Sequence, residues 1–230
     1  MLKTKAVVIS TIILGVALTA TGCGNKGNVD ETKVKASESF VNIIKENKKE
    51  IGFHAELSHW GLKLPTGEKF EWTKDTSANE IDFAMVVPAD QFTKAGVDVT
   101  KIDSKELVFK PAANEGGMET PNLLIKPYNL NDKKQNSNGA EDAFKRLLKV
   151  QEVPVSYDAN SKSYALNLAE GYRVNWTEKL GENPSDIIFT LKAEPLIKAG
   201  LDINKISGEG WAYSKENNTL VKEFKVSENK

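Results

Sequence analysis

The chain has 230 residues, of which 31 are basic and 32 acidic, so its formal net charge is −1. Hydrophobic residues make up 40% and charged residues 27%, as is typical of a folded globular protein of one or two domains. This balance excludes nucleic-acid binding, which needs a concentrated basic surface, and a polybasic attachment to anionic lipid.

The N-terminal segment has the three-part order of a secretory signal. Lys3 and Lys5 precede an apolar run over residues 6–20, and small residues follow that run. The last of them, Ala20-Thr21-Gly22-Cys23, resemble a bacterial lipobox. The resemblance implies cleavage between Gly22 and Cys23, diacylglyceryl transfer to the Cys23 thiol and fatty acylation, such as palmitoylation, of the new amino group. A permanent membrane helix needs about 20 apolar residues, and this run is shorter.

The lipobox resemblance implies where the protein works. Residues 1–22 form the signal peptide and residues 23–30 a lipid-anchored tether, with the folded part on the extracytoplasmic face of the cell membrane. Loss of Lys3 and Lys5 leaves 29 basic and 32 acidic residues, a net charge of −3. Cys23 is the only cysteine in the sequence, so the mature chain is expected to fold without disulfides.

The rest of the chain contains an internal repeat. A shift of 104 positions aligns the chain with itself without a gap and gives 18 identities between residues 36–102 and 140–206. We interpret this as two homologous units, 31–112 and 138–230, joined by a linker at 113–137. The period is too long for a solenoid, so it indicates either two small domains or two halves of one pseudo-symmetric body.

Each unit is predicted to have an α+β fold with the order α-β-β-β-α-β, a helix packing on an antiparallel sheet. Ala36, Phe40 and Ile43 lie on one face of the first helix, and the second unit repeats this spacing from Ala140, with Asn138 and Glu141 as its expected N-terminal cap. The remaining elements are predicted as strands near 62–64, 69–73, 81–87 and 107–110, with a helix at 88–95, and in the second unit as strands near 166–168, 173–177, 187–191, 210–213 and 219–226, with a helix at 193–199. Gly96 and Gly200 are expected to end the short helices in a left-handed conformation.

The two histidines are the first candidate site. His54 and His59 lie close to Glu56, and together they are weak candidates for metal binding. A zinc site needs a third and a fourth ligand that the sequence does not identify. The second unit also has other residue types at these positions. We therefore expect no metal, and interpret both histidines as surface or edge residues.

The tryptophans fall into two classes. Trp72 and Trp176 are preserved between the units and alternate with apolar residues, so they are predicted to lie in the core. Trp60 and Trp211 are replaced in the other unit, by Tyr164 and by Leu107. Because binding surfaces diverge between copies more readily than cores, Trp60 and Trp211 are the candidate recognition residues.

Catalytic motifs are absent from the sequence. It contains no nucleophile elbow, no phosphate-binding loop, no paired-cysteine metal site and no zinc-protease helix. The expected function is therefore non-enzymatic and without a cofactor. A lipoprotein attached to the membrane through Cys23 would bind an unidentified protein or cell-envelope partner. The alternatives are a small-ligand or solute receptor with its site between the units and, third, an envelope hydrolase.

Overall fold

The computed structural model describes residues 30–75, 81–115, 118–130 and 137–226. The predicted signal peptide, the lipobox-like residues ending at Cys23 and the expected tether up to residue 29 lie outside the described residues. No helix within the described part of the chain is both long enough and apolar enough to cross a membrane.

The described residues contain short helices and many strands. The helices are α1 (Glu31–Glu46), α2 (Asp90–Lys94), α3 (Ala140–Leu148), α4 (Glu194–Lys198) and α5 (Ile203–Ile206). The strands of residues 30–130, called the first half, are β1 (Ile51–His54), β2 (His59–Lys63), β3 (Lys69–Thr73), β4 (Phe83–Pro88), β5 (Val108–Lys110), β6 (Ala113–Glu115), β7 (Met118–Thr120) and β8 (Leu123–Tyr128). Those of residues 137–226, called the second half, are β9 (Val155–Asp158), β10 (Ser163–Ala169), β11 (Tyr172–Thr177), β12 (Ile187–Lys192), β13 (Ala212–Ser214) and β14 (Thr219–Phe224).

Two six-stranded sheets form the body of the protein. The first has the strand order β1-β2-β3-β4-β8-β5, and the second has the order β9-β10-β11-β12-β14-β13. Neighbouring strands in both sheets are antiparallel, and β6 and β7 form a separate two-stranded sheet. The prediction of an α+β fold with antiparallel sheets is confirmed.

The structure has two edge strands, β1 and β9, that were not predicted from the sequence. Both β1 and β9 are four-residue edge strands that are largely exposed, so they lack the alternation of apolar and polar residues that reveals a half-buried strand. The range 113–137, predicted as a linker, contains β6, β7 and β8. Strand β8 is part of the first sheet, between β4 and β5, so that sheet extends to Tyr128.

The hydrophobic core is shared between the halves. Phe40 of α1 and Phe144 of α3 stack with their ring centroids 4.1 Å apart. Both rings contact Trp72 of the first sheet and Trp176 of the second. The two helices therefore lie between the sheets and pack against both, which corrects the expectation that each helix packs on the sheet of its own unit alone.

The two core tryptophans are hydrogen-bonded to the helix of the opposite half. The indole N–H of Trp72 donates to the carbonyl of Ala140 at 3.0 Å. The indole N–H of Trp176 donates to the carbonyl of Ala36 at 3.1 Å and to the hydroxyl of Ser39 at 2.9 Å. Both tryptophan side chains are completely buried, which confirms their predicted place in the core.

The start of α3 differs from the prediction. The residue that caps the helix is Gly139, in an extended conformation and with no side-chain cap. Asn138 lies one position earlier, and its backbone N–H donates to a carboxylate oxygen of Asp142 at 3.3 Å. The cap expected from Asn138 and Glu141 is therefore wrong by one residue.

Candidate functional site

The structure separates the residues of the histidine candidate site. His54 and Glu56 are exposed at the β1–β2 hairpin, whereas His59 is only 3% exposed. The Nε2 of His59 donates to the carbonyl of Ile81 at 2.9 Å, and its Nδ1 lies 3.6 Å from a carboxylate oxygen of Glu71. The described residues contain no group of three or more histidine, cysteine or acidic side chains arranged to hold a metal ion.

Asp82 is buried near His59 at the start of β4, and a carboxylate oxygen accepts from the N–H of Leu130 at 2.5 Å. Burial raises the pKa of Asp82, against the opposing effects of that N–H and of His59. At the corresponding place in the second half, Asp186 accepts from the N–H groups of Gly181 and Val226. In each half, the aspartate accepts a hydrogen bond from the backbone just after the final strand, β8 or β14. This geometry indicates a structural role.

Trp211, one of the two predicted recognition residues, is buried. Its side chain is 1% exposed, and its indole N–H donates to the amide oxygen of Gln91 at 2.7 Å. Its ring also packs 5.5 Å from that of Phe92. The prediction that Trp211 is an exposed recognition residue is therefore wrong, because the first half covers it.

A buried ion pair lies beside Trp211. The ammonium of Lys222 is 2.7 Å from a carboxylate oxygen of Glu68, and both side chains are at least nine-tenths buried. Burial alone would raise the pKa of Glu68, but hydrogen bonds from Lys222, Thr66 and Gln91 outweigh it and hold the pKa below its ordinary value. Sequence reasoning missed this pair because its members are 154 positions apart and no local pattern marks either of them.

The corresponding position in the first half has a different chemistry. Lys126 is also buried, but its ammonium donates to the carbonyl of Glu106 at 2.9 Å and lies 4.4 Å from the centroid of the Tyr172 ring. Tyr172 takes the place that Glu68 has in the other contact, so a cation–π interaction replaces the ion pair. Burial lowers the pKa of Lys126. Both contacts join the halves, and neither lysine is free to act as a nucleophile on an external ligand.

Trp60, the other predicted recognition residue, lies under an exposed apolar surface. Its ring centroid is 4.7 Å from that of Phe53, which faces it across the β1–β2 pair. Phe53 and Leu57 are each 42% exposed, and the ammonium of Lys74 lies 5.7 Å above the Phe53 ring. We call Phe53, Leu57 and Trp60 the hairpin surface. Because β1 is an edge strand, this surface combines apolar side chains with backbone groups that pair with no further strand in the described part of the chain.

The β6–β7 insertion forms one wall of an open depression of about 470 Å³. Its lining includes the polar residues Asp90, Asn114, Glu119 and Asn122. The side-chain amide of Asn122 is itself occupied, because its oxygen accepts from the N–H of Ala112 and its nitrogen donates to Asp90. The side-chain amide of Asn122 is therefore already engaged within the protein.

Comparison with known proteins identifies no relative. No protein-family model matches the chain, and no curated protein or solved structure matches it.

Proposed function

We propose that this chain is a membrane-anchored extracytoplasmic lipoprotein that acts as a non-catalytic binding module at the cell surface. The observation that carries the binding role is the hairpin surface, where Phe53 and Leu57 expose large apolar side chains beside the edge strand β1. The anchor is proposed from the lipobox resemblance at Ala20–Cys23. Two acyl signals at one residue make membrane attachment stable.

The proposed anchor keeps the folded body close to the membrane. Helix α1 begins at Glu31, only eight residues after Cys23, so the connection spans at most about 29 Å when fully extended. The helix itself has 16 residues and is therefore about 24 Å long. Any surface at its far end is held well away from the acyl chains.

The hairpin surface lies toward that far end. Lys45 near the end of α1 pairs with Glu141 at the start of α3, with 3.7 Å between the charged atoms. The hydroxyl of Ser137, three residues before α3, donates to the carbonyl of Lys74, whose ammonium covers Phe53. These contacts link the hairpin surface to the end of α1 that is remote from Cys23. This position supports recognition of a partner beyond the membrane over insertion into the lipid.

We further propose that the two halves are homologous repeats fused into one pseudo-symmetric body. Three observations support this: the 18 identities at a shift of 104 residues, the matching strand orders of the two sheets, and the reciprocal bonds of Trp72 and Trp176. Within such a body, unequal positions are the natural place for function. The hairpin surface is one of them, since Phe53 and Trp60 correspond to Tyr157 and Tyr164.

The alternatives have weaker support. A small-ligand site between the halves would need Trp60 or Trp211 in its lining. Trp211, however, is hydrogen-bonded to Gln91, which also bonds Lys222, and these three side chains fill their part of the interface. An envelope hydrolase would need His54, Glu56 and a third acidic residue to converge. In the structure, His54 and Glu56 are exposed, whereas His59, which lies next to Glu71, is buried. His54, Glu56 and His59 therefore do not form one site.

The test is a cross-linking capture from living host cells with the anchored protein. The double variant Phe53→Ser with Leu57→Ser should lose a partner that the wild type retains, while Tyr157→Ser, at the corresponding place in the second half, should retain it. Equal capture by both variants would refute the hairpin surface as the site of recognition.

The anchor has a separate test. Cys23→Ala should leave an uncleaved precursor or release the protein from the membrane. A processed Cys23→Ala protein that still partitions into the detergent phase would refute the lipid anchor without affecting the hairpin surface.

A further inference from the structure

We propose that Asn138–Gly139 is a site of spontaneous deamidation, and that its isoaspartyl product loosens the junction between the two halves. This is the only Asn-Gly pair among the 230 residues. Glycine is the residue after asparagine that least shields its own backbone nitrogen, because it has no side chain. The sequence therefore concentrates this reactivity at one position, immediately before α3.

The local geometry leaves the reacting groups accessible. Asn138 is exposed, and its side chain has no hydrogen-bond partner among the described residues. Gly139 precedes the first helical residue of α3, where backbone N–H groups have no partner within a helix. A Cβ added to Gly139 would have no atom of a more distant residue within 4 Å, so the space beside its α-carbon is open.

The reaction needs only water as a co-reactant. The backbone nitrogen of Gly139 attacks the side-chain carbonyl carbon of Asn138, forming a new C–N bond and a five-membered succinimide. The bond to the side-chain nitrogen breaks, and that nitrogen leaves as ammonia with the proton from the backbone N–H. Water then opens the ring at either carbonyl, which gives aspartate or isoaspartate. The isoaspartate carries one additional methylene in the backbone path.

The tertiary structure determines what that extra length does. Ser137, immediately before Asn138, is 2% exposed, and its hydroxyl is bonded to the carbonyl of Lys74 at 2.9 Å. Ala140, two residues after Asn138, accepts the indole N–H of the buried Trp72. Asn138 thus lies between two fixed points that join the halves, and a longer backbone between them displaces at least one. Aspartate adds only charge, and a negative charge near the start of a helix is favourable.

The experiment uses the detergent-extracted full lipoprotein, incubated in mildly alkaline buffer. Peptide mass spectrometry follows the loss of the amide, and enzymatic methylation of isoaspartate identifies the β-linked product. We expect conversion at Asn138 to be several-fold faster than at the exposed Asn160–Ser161 pair in the same molecule. Gly139→Ala should slow it several-fold, and alanine suits the extended backbone and the open space at this position. Conversion at Asn138 no faster than at Asn160 would overturn the proposed site.

The structural consequence is tested on separated products. The isoaspartyl form should unfold at a lower denaturant concentration than the unmodified protein, whereas Asn138→Asp, which has the same charge and a normal backbone, should unfold close to the unmodified protein. If the isoaspartyl form and Asn138→Asp unfold at the same concentration, the proposed loosening of the junction is refuted.

Discussion

Gly96 and Gly200 meet backbone to backbone where the two halves join. A Cβ on Gly200 would lie 2.8 Å from the carbonyl oxygen of Gly96, and a Cβ on Gly96 would lie 3.0 Å from that of Gly200. Both residues have positive φ, +97° and +105°, as expected for glycines that end helices. Next to them, the N–H of Asp98 donates to the carbonyl of Ala199, and the N–H of Asp202 donates to that of Ala95. The contact is reciprocal, and it tolerates no side chain on either glycine.

Gly200→Ala should destabilise the protein by both strain and collision. The matched control is Gly181→Ala, since Gly181 also has positive φ but would meet no atom within 4 Å. Gly181→Ala should lower the free energy of unfolding by about 1 kcal/mol, because alanine is strained in the left-handed backbone conformation. Gly200→Ala should cost about 1–3 kcal/mol more because the halves must separate slightly. Equal free energies of unfolding in urea would contradict the tight contact.

Lys222→Met should be among the most destabilising single substitutions at the junction, because it leaves the carboxylate of Glu68 buried without its cation. Such losses cost about 3–5 kcal/mol. Lys126→Met is the matched control, since Lys126 faces the Tyr172 ring and has backbone carbonyls as its hydrogen-bond partners. Urea denaturation should give a smaller loss for Lys126→Met, and a larger one would contradict the assigned difference between the two contacts.

Asp82→Asn should make the stability less sensitive to pH. Burial raises the pKa of Asp82 above its ordinary value of 3.8, so the folded state holds this proton more tightly than the unfolded state. The resulting stabilisation is present below the ordinary value and is lost as the pH rises through the folded-state pKa. The free energy of unfolding of Asp82→Asn, relative to that of the wild type, should therefore increase as the pH rises from 3 toward neutral. Unfolding followed over this range checks the sign.

Asp186→Asn is the comparison for Asp82→Asn. Asp186 accepts two backbone N–H groups, and its carboxylate lies 3.7 Å from the ammonium of Lys225. Its replacement should lower stability at neutral pH, by about 1–3 kcal/mol for hydrogen bonds to a charged group. If both variants were more stable than the wild type at neutral pH, the two aspartates would be equivalent in energy as well as in position.

Trp211→Phe should lower stability without changing recognition. It removes the indole donor to the Gln91 oxygen, which keeps its bond from Lys222 at 3.1 Å, and the loss of one such hydrogen bond costs about 0.5–1.5 kcal/mol. Because Trp211 is 1% exposed, partner capture should be unchanged once folding is verified by circular dichroism. Loss of capture in a folded Trp211→Phe protein would return this residue to the recognition site.

The sequence by itself determined the α+β class, the two core tryptophans, the short helices ended by glycine and the final hairpin. These features follow from local periodicity and from backbone preferences, which a linear pattern records. The lipobox resemblance likewise depends on consecutive residues around Cys23. It remains a prediction, since residues 1–29 lie outside the described part of the chain.

Only the tertiary structure decided which surfaces the two halves bury against each other. Trp211 and Trp60 are equally hydrophobic in the sequence, yet one is covered by Gln91 and the other lies under an exposed hairpin. The pairing of Glu68 with Lys222 depends on a contact between residues 154 positions apart, and no local pattern encodes such a contact. Edge strand β1 was missed for the same reason: its place is fixed by pairing with β2, while its own side chains are largely exposed.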